Sequence, residues 1–223
     1  MPVGLSHQTE HLAYAHYDTE NPVETLVATR RIAFVNVPRP SIEDRLPKAN
    51  ILEARMIAQL VKAVLSLHQQ NDIPFDPSRQ LGIIVPFRRQ IAMVRAEIEK
   101  VCPGVAGVIV IDTVERYQGS QRDIIIYGTT ITQRYELDIL SNLTTVTPHY
   151  GGGQGKGSAR REEGIATPID RKLNVAITRA RKQLFILGNE AILRQNPLYH
   201  QLIDYCRQSS SSRSCLPVSS GEA

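Results

Sequence analysis

A glycine-rich stretch, YGGGQGKGSARREE, begins at Tyr150 and contains the residue types from which phosphate-binding loops are built. A P-loop requires G-x-x-x-x-G-K-[ST] directly after a buried strand, so that backbone N–H groups and the lysine surround the phosphates. With Gly155 and Lys156 as the G-K pair, Tyr150 occupies the leading glycine position, and Gly157 separates Lys156 from Ser158. The residues before the stretch are polar and threonine-rich and predict no strand. The stretch therefore predicts a flexible insertion and not a nucleotide site.

A second candidate, DRKLNVAITRARKQ, begins at Asp170 and predicts an amphipathic helix. Its apolar side consists of Leu173, Ala176, Ile177 and Ala180. Its opposite side carries Asn174, Thr178 and Arg181. Arg179 lies at the margin near the helix end, and its planar, always-charged guanidinium suits the γ-phosphate of a nucleotide during phosphoryl transfer. Spacing alone leaves open the alternative of a helix with a solvated basic face.

A third candidate, TVERYQGSQRD, starts at Thr113, where a predicted strand ends, and runs into the next strand. Gly119 allows a ligand to approach the backbone closely, and the Gln118 amide can bridge phosphate and water. The Thr113 hydroxyl can donate to a nucleic-acid phosphate. The alternative is a plain loop in which a glycine is needed at position 119 only for the backbone dihedral angles of the turn.

A fourth candidate is the short stretch PFRRQ, which follows another predicted strand. Pro86 and Phe87 can meet a sugar or a base, while Gln90 or an arginine can meet a phosphate. A simple strand-to-helix turn explains the same residues equally well.

Alternating apolar and amphipathic segments position these stretches. Five apolar runs predict strands at residues 31–37, 81–85, 107–112, 122–130 and 184–188. Helices are predicted from Asn50, from about Arg89 and from Asp170, with one or two more ending near Arg207. This alternation predicts an α/β fold in which a parallel sheet carries helices on both faces. Because ligands gather beyond the carboxyl ends of parallel strands, we expect the polar stretches to meet there.

The chain length suits one α/β domain with flanking segments. We expect an extended lead-in at residues 1–30 and a domain at residues 31–207. An insertion at about residues 133–168 would interrupt that domain. The serine-rich residues 208–223 predict a disordered tail.

Composition limits the partners and the compartment. A net charge of +4 and a pI near 9.0 favour a polyanionic partner, although a solvated basic surface remains the alternative. Three cysteines, odd in number and far apart, argue against a disulfide framework or a zinc site and favour a reducing, cytoplasmic location. No apolar run has membrane-spanning length and no signal peptide is recognisable, so we expect no membrane partner. We also expect the isolated domain to be a monomer.

Three stretches in this order, LGIIVPFRRQ, VIDTVERYQGSQRDIIIYGTT and RKLNVAITRARKQLFILGN, resemble motifs IV, V and VI of superfamily-one helicases. They look most like the subgroup typified by the nonsense-mediated-decay helicase and the lagging-strand nuclease-helicase. Asn50, Glu53 and Ala54 fit the "N..EA" pattern of that subgroup. The resemblance covers roughly residues 31–207. It implies a RecA-like P-loop NTPase fold of the AAA type, the second of two motor domains, without its own Walker A loop.

The resemblance also implies a role for individual residues. In the family, ATP and Mg²⁺ lie in the cleft between two RecA-like domains, held mainly by the first, and single-stranded DNA or RNA crosses both. Arg179 matches the motif VI arginine that contacts the γ-phosphate, which makes it the implied catalytic residue. The positions implied beside the nucleotide are Gln118, Gly119, Gln121 and Arg179. The positions implied near nucleic acid are Pro86, Phe87, Gln90, Thr113, Asn174 and Thr178.

The chain departs from the family pattern at one site residue and lacks two motifs. Gln121 stands where the family often has an acidic residue, which puts any role of that carboxylate in doubt. The P-loop and the metal-binding acidic pair of the first domain are not found, so the chain alone is predicted not to hydrolyse ATP. We therefore expect the C-terminal motor domain of an ATP-dependent DNA or RNA helicase. The alternative is a stand-alone, ATPase-inactive module that binds nucleic acid or protein.

Overall fold

A computed structural model describes residues 14–43, 45–117, 120–141, 143–146 and 167–208. Its strands are β1 (Ile32–Asn36), β2 (Leu81–Ile84), β3 (Val110–Asp112), β4 (Arg122–Gly128), β5 (Leu143–Val146), β6 (Thr167–Asp170) and β7 (Ala180–Gly188). Its α-helices are α1 (Pro22–Thr29), α2 (Ile51–Gln70), α3 (Pro77–Gln80), α4 (Arg88–Val101), α5 (Leu137–Leu140), α6 (Arg171–Thr178), α7 (Glu190–Leu193) and α8 (Pro197–Gln208). A 3₁₀ turn, Arg134–Glu136, leads into α5.

Five strands form a parallel sheet in the order β1-β7-β4-β2-β3, which confirms the predicted α/β architecture. The central strands are continuous apolar runs because the sheet is covered on both faces. One face packs against α1, α2 and α4, and the other packs against α6, α7 and α8. Two separate hydrophobic cores therefore hold the sheet between them, and fully burying each Leu or Ile side chain contributes about 1.5–3 kcal/mol.

Residues 22–29 form a helix, so the expectation of an extended lead-in is wrong for this part. The Asn21 side chain caps α1 by accepting hydrogen bonds from the backbone N–H groups of Val23 and Glu24, at 3.0 and 3.2 Å. Pro22 follows the cap at the first helical position, where its fixed φ favours a helix. The Asn-Pro pair was the available sequence signal. Packing of Leu26 and Val27 into the core stabilises a helix too short to persist alone.

Helix α6 ends at Thr178 and strand β7 begins at Ala180, so the predicted helix is too long and the predicted strand too short. The expected alignment of Arg181 with Asn174 and Thr178 on one helix side is therefore wrong. Pairing with β4 explains the difference, because the N–H of Arg122 donates to the carbonyl of Arg179 at 2.9 Å. This tertiary pairing outweighs the helical periodicity of the local sequence.

The insertion contains regular structure within its described residues. The 3₁₀ turn, α5 and β5 lie in it, and β5 pairs antiparallel with β6. The expectation that no strand precedes the glycine-rich stretch is therefore wrong. Leucine, valine and threonine favour a strand, but β5 has a distant partner that a local reading does not reveal. The glycine-rich stretch itself and the serine-rich tail lie outside the described residues.

None of the helices in the described ranges is long and apolar enough to cross a bilayer.

Candidate functional site

The candidate residues lie at opposite ends of the parallel sheet. Pro86 and Thr113 follow the carboxyl ends of β2 and β3, as expected. Gln121 and Arg179 directly precede β4 and β7, so they lie where these strands begin. The expectation that all polar stretches meet at the carboxyl-terminal end is therefore wrong, because residues just before a parallel strand belong to its amino-terminal end. The sheet instead presents two candidate surfaces.

The loop between β3 and β4 connects these surfaces by crossing the sheet. Its Tyr117 side chain is 1% exposed and lies over Gly82 on β2. A Cβ at position 82 would lie within 3 Å of the Tyr117 ring, so only glycine leaves room for this crossing. The sequence analysis missed both residues, although a glycine inside a buried strand was a signal. Gln118 and Gly119, which come next, lie outside the described residues.

At the amino-terminal end, α6 positions Arg179. The helix begins where Asp170 accepts hydrogen bonds from the N–H groups of Lys172 and Leu173, at 2.9 and 3.1 Å. Arg179 caps the end of the helix: its N–H donates to Ala176 O at 3.3 Å, and its carbonyl accepts the bond from Arg122. The Arg179 backbone is thus fixed on both sides. Its side chain is half-buried, and Nε has no hydrogen-bond partner among the described residues.

Gln121 joins the β3–β4 loop to the same end of α6. Its Nε2 donates to the Thr178 carbonyl at 3.4 Å, and its own carbonyl accepts from Arg181 at 3.3 Å. A carboxylate at this position could not donate to the Thr178 carbonyl. The departure from the family pattern therefore exchanges a negative charge beside Arg179 for a neutral contact.

Asp123 provides negative charge at this end of the sheet. Its carboxylate lies 3.0 Å from Lys182 Nζ and 3.6 Å from Arg181, and it accepts a bond from Gln80 at 3.2 Å. Burial alone would raise the pKa of Asp123, but the contacts with Lys182 and Gln80 outweigh burial and hold it below its usual value. Asp123 is thus ionised and already engaged by three side chains.

At the carboxyl-terminal end, Pro86 and Phe87 form the turn from β2 into α4. Phe87 is buried, and Lys48 Nζ lies 5.9 Å from its ring centroid, within reach of a cation–π contact. Thr113 is also buried, and its side chain bonds to the Glu115 carboxylate, which pairs with Lys172 at 3.3 Å. A phosphate that binds the Thr113 hydroxyl would therefore have to displace the Glu115 carboxylate from it.

Asn174 and Thr178 lie on α6 between the two ends. Asn174 is exposed and Thr178 half-buried. The Thr178 hydroxyl already donates to the Val175 carbonyl at 3.1 Å. Asn174 is therefore the more accessible of the two for a ligand.

Gln90 does not face a ligand surface. Its side chain is fully buried, and its amide makes two hydrogen bonds to the Asn50 backbone, accepting from N at 2.8 Å and donating to O at 3.0 Å. These bonds join the beginnings of α4 and α2. The structure thus contradicts the prediction that Gln90 contacts nucleic acid in this conformation, because the amide has a structural partner on each side.

Glu53, noted only as part of "N..EA", is a fully buried carboxyl group beyond the end of β4. It accepts bonds from Thr130 N at 2.8 and 3.0 Å and contacts the Thr130 hydroxyl at 3.1 Å. Gly128 makes this approach possible, since a Cβ there would lie 2.6 Å from Glu53 Oε1. Burial raises the pKa of Glu53 to about 8 against the opposing effect of the Thr130 bonds. Glu53 therefore holds the turn after β4 in place.

The raised pKa of Glu53 predicts a pH-dependent stability. Its pKa is about 8 in the folded protein, against an ordinary value of 4.5. The contribution of Glu53 to the unfolding free energy is therefore complete below pH 4.5 and is lost as the pH rises to about 8. We expect the unfolding free energy of the wild type to fall relative to Glu53→Gln across this window, by up to about 1.4 kcal/mol per pH unit. Urea unfolding at several pH values measures the difference.

Glu43→Gln, a change of the same chemistry at an exposed position, is the control and should give a constant difference from the wild type. A constant difference for Glu53→Gln as well would contradict the pH-dependent contribution of Glu53.

Within the described ranges, no cluster of three or more His, Cys, Asp or Glu side chains could hold a metal ion.

Comparison with known proteins gives consistent matches. A family model described as an AAA domain matches residues 7–191. The putative helicase MOV-10 of Gallus gallus is 25% identical over 177 residues, which are 74% of this chain and 16% of that protein. The DNA replication ATP-dependent helicase/nuclease DNA2 of Bos taurus is 25% identical over 214 residues, 94% of this chain and 16% of that protein. The probable helicase senataxin of Homo sapiens is 28% identical over 154 residues, 69% of this chain and 5% of that protein. The chain thus spans 16% or less of the length of these three relatives.

Proposed function

This chain belongs to the AAA domain family and is homologous to the C-terminal part of superfamily-one helicases, and on that premise we propose that it is the second RecA-like half of an ATP-dependent helicase motor. In this proposal the preceding half binds ATP and Mg²⁺, and this chain supplies Arg179 across the cleft. Single-stranded DNA or RNA runs along the opposite, carboxyl-terminal end of the sheet.

The observation that carries the proposal is the state of Arg179. Its backbone is fixed between α6 and β4, while Nε is buried and lacks an acceptor among the described residues. The half-buried guanidinium has no ion-pair partner among the described residues, so its charge is available to an anionic ligand. Gln121 beside it is neutral, so no carboxylate at that position competes for the guanidinium. The unpaired side chain of Arg179 and the neutral side chain of Gln121 together suit the binding of a phosphate group.

In the proposal, no residue of this chain is a ligand of the Mg²⁺ ion. Asp123, which follows Arg122 at the amino-terminal end of the sheet, is already held by Arg181, Lys182 and Gln80. Mg²⁺ would therefore be bound by the preceding half together with the phosphates, which is where ATP chemistry takes place. This chain contributes fixed positive charge, which stabilises the charge that develops during phosphoryl transfer.

The nucleic-acid surface in the proposal combines Pro86, Phe87, Thr113 and Asn174. Lys48 adds a positive charge over Phe87. Contacts to phosphate dominate such binding, so the affinity should fall steeply as salt rises.

ATP turnover tests the function as a whole. The natural polypeptide that includes the preceding half is expected to hydrolyse ATP faster when a single-stranded oligonucleotide is added, while residues 1–223 alone produce no turnover. ATP hydrolysis by residues 1–223 alone would contradict the proposal. So would a longer polypeptide that binds single strands but never hydrolyses ATP, which would favour an ATPase-inactive binding module.

A further inference from the structure

The turn after β4 begins with a strained residue. β4 is the central strand of the sheet, and Thr130, two residues beyond its end, has a φ of 62°. A positive φ is unusual for a β-branched residue and costs free energy, so neighbouring groups must hold it in place. Glu53 does this from α2, because its carboxylate accepts from Thr130 N and contacts the Thr130 hydroxyl. The chain therefore turns at a fixed point beyond the carboxyl end of the central strand.

A second buried glutamate fixes the residues that follow, the 3₁₀ turn and α5 at residues 134–140, which we call the post-β4 helix. The buried Glu136 side chain accepts hydrogen bonds from Thr132 N at 2.7 Å and from the Thr132 hydroxyl at 3.2 Å. Leu137 and Leu140 are buried in the core on the α6–α8 face of the sheet. The post-β4 helix is thus anchored both at its beginning and along its inner side.

The outer side of the post-β4 helix exposes two apolar side chains. Tyr135 is 63% exposed and Ile139 is 44% exposed. Because they are four residues apart, they lie on the same side of the helical segment. A tyrosine on an anchored backbone has few torsions left to fix when it binds a ligand, so it gains contact area at a low cost in entropy. The two side chains therefore form a prepared apolar surface after the central strand.

Lys172 joins the post-β4 helix to the proposed nucleic-acid surface. Its Nζ donates to the Ile139 carbonyl at 3.2 Å and pairs with the Glu115 carboxylate at 3.3 Å. Glu115 in turn bonds to the side chain of Thr113, which the proposed function assigns to the single strand. One ammonium group thus contacts both segments, and Tyr135 lies about one helical turn from Ile139.

The apolar face of a nucleobase suits this surface. Every base can stack on an aromatic ring, whereas phosphate contacts are made equally by strands with and without bases. We propose that Tyr135 stacks on a base of the bound single strand, with Ile139 as an apolar contact beside it. The proposal rests on the proposed function, because it adds a residue to the same nucleic-acid surface. It makes the affinity of this chain depend on the bases of the strand and not on its phosphates alone.

Two labelled strands test the proposal when each is titrated with the 223-residue chain at one low salt concentration and followed by fluorescence anisotropy. One is oligothymidylate, and the other is an abasic strand with the same number of phosphates. Tyr135→Ala should weaken oligothymidylate binding on the order of tenfold, as expected for the loss of one stacked base, and leave the abasic strand unaffected. Tyr135→Phe retains the ring without the hydroxyl and should bind both strands as the wild type does.

Tyr205→Ala is the matched control, because Tyr205 is also exposed, at 42%, and lies on α8. The residue before α8, Asn196, bonds to Ser141 at the end of the post-β4 helix, at 2.9 Å. Tyr205 is nine residues further along the chain, about 13 Å along the helix axis. Its replacement should leave the affinities for both strands unchanged.

The outcomes separate this proposal from the function on which it rests. Unchanged oligothymidylate affinity in Tyr135→Ala would overturn the role of Tyr135 and leave the proposed function standing. Equal losses for the two strands would overturn stacking, and so would a loss in Tyr135→Phe as large as in Tyr135→Ala, which would indicate a hydroxyl contact to phosphate. A wild-type chain that binds neither strand would overturn both the role of Tyr135 and the nucleic-acid surface of the proposed function.

Discussion

Replacing Arg179 with alanine in a polypeptide that includes the proposed preceding half should lower the rate of ATP turnover about a thousandfold, which corresponds to about 4 kcal/mol of transition-state stabilisation. The reason is geometric, because α6 and β4 fix the backbone of Arg179 while Nε remains without an acceptor in the described part of the chain. A guanidinium held in advance needs no reorganisation when charge develops on the transferred phosphoryl group. Steady-state phosphate release measures the rate.

Two further variants make this result specific. Arg179→Lys retains the charge but loses the planar fork, so it should recover only part of the rate. Arg134→Ala, an exposed arginine on the 3₁₀ turn, should turn over ATP as the wild type does. Equal rates for Arg179→Ala and Arg134→Ala would contradict a catalytic role for Arg179.

Replacing Gly82 with alanine should lower the unfolding free energy by about 3 kcal/mol, at the upper end of the usual range for overpacking. The new Cβ would lie 2.8 Å from Tyr117 Cζ and closer still to the hydroxyl oxygen. Tyr117 is 1% exposed, so it has no open space into which it can move. The β3–β4 loop must then leave the sheet surface, and it carries the residues that connect the two candidate surfaces. Chemical denaturation measures the loss.

Gly107→Ala is the matched control, because nothing lies within 4 Å of a Cβ at that position. It should be neutral or slightly stabilising, since alanine restricts the unfolded chain. Adding Tyr117→Phe to Gly82→Ala removes the closest contacting atom and should recover part of the loss. Similar stabilities for the two glycine variants would show that Tyr117 does not require the space above Gly82.

The sequence predicted the parallel sheet because its central strands contain continuous apolar runs, which are typical of strands buried on both faces. Helices α2 and α4 were also predicted, since their apolar positions recur at helical spacing. Helix α1 was missed because it is short and depends on packing against α2. The boundary between α6 and β7 was wrong because the partner of Arg179, Arg122, lies 57 residues earlier.

The candidate site was predicted only in part. Motif spacing drew attention to Arg179 and Gln121, but the rule about carboxyl ends placed them at the wrong end of the sheet. The Asp123 ion pairs and the Glu53–Thr130 bonds depend on contacts between distant segments, which no local pattern contains. Gln90 suits phosphate by residue type, yet the position of Asn50 gives its amide a structural partner.

The central claim, that Arg179 acts on the transferred phosphoryl group, is tested most directly by a transition-state analogue. The affinities of the longer polypeptide for ADP and for ADP with aluminium fluoride would be measured with and without Arg179→Ala. Because Arg179 is proposed to act mainly in the transition state, its removal should weaken the binding of ADP with aluminium fluoride about a hundredfold more than the binding of ADP alone. Equal losses for both ligands, or none for either, would contradict the claim and leave Arg179 without a role in catalysis.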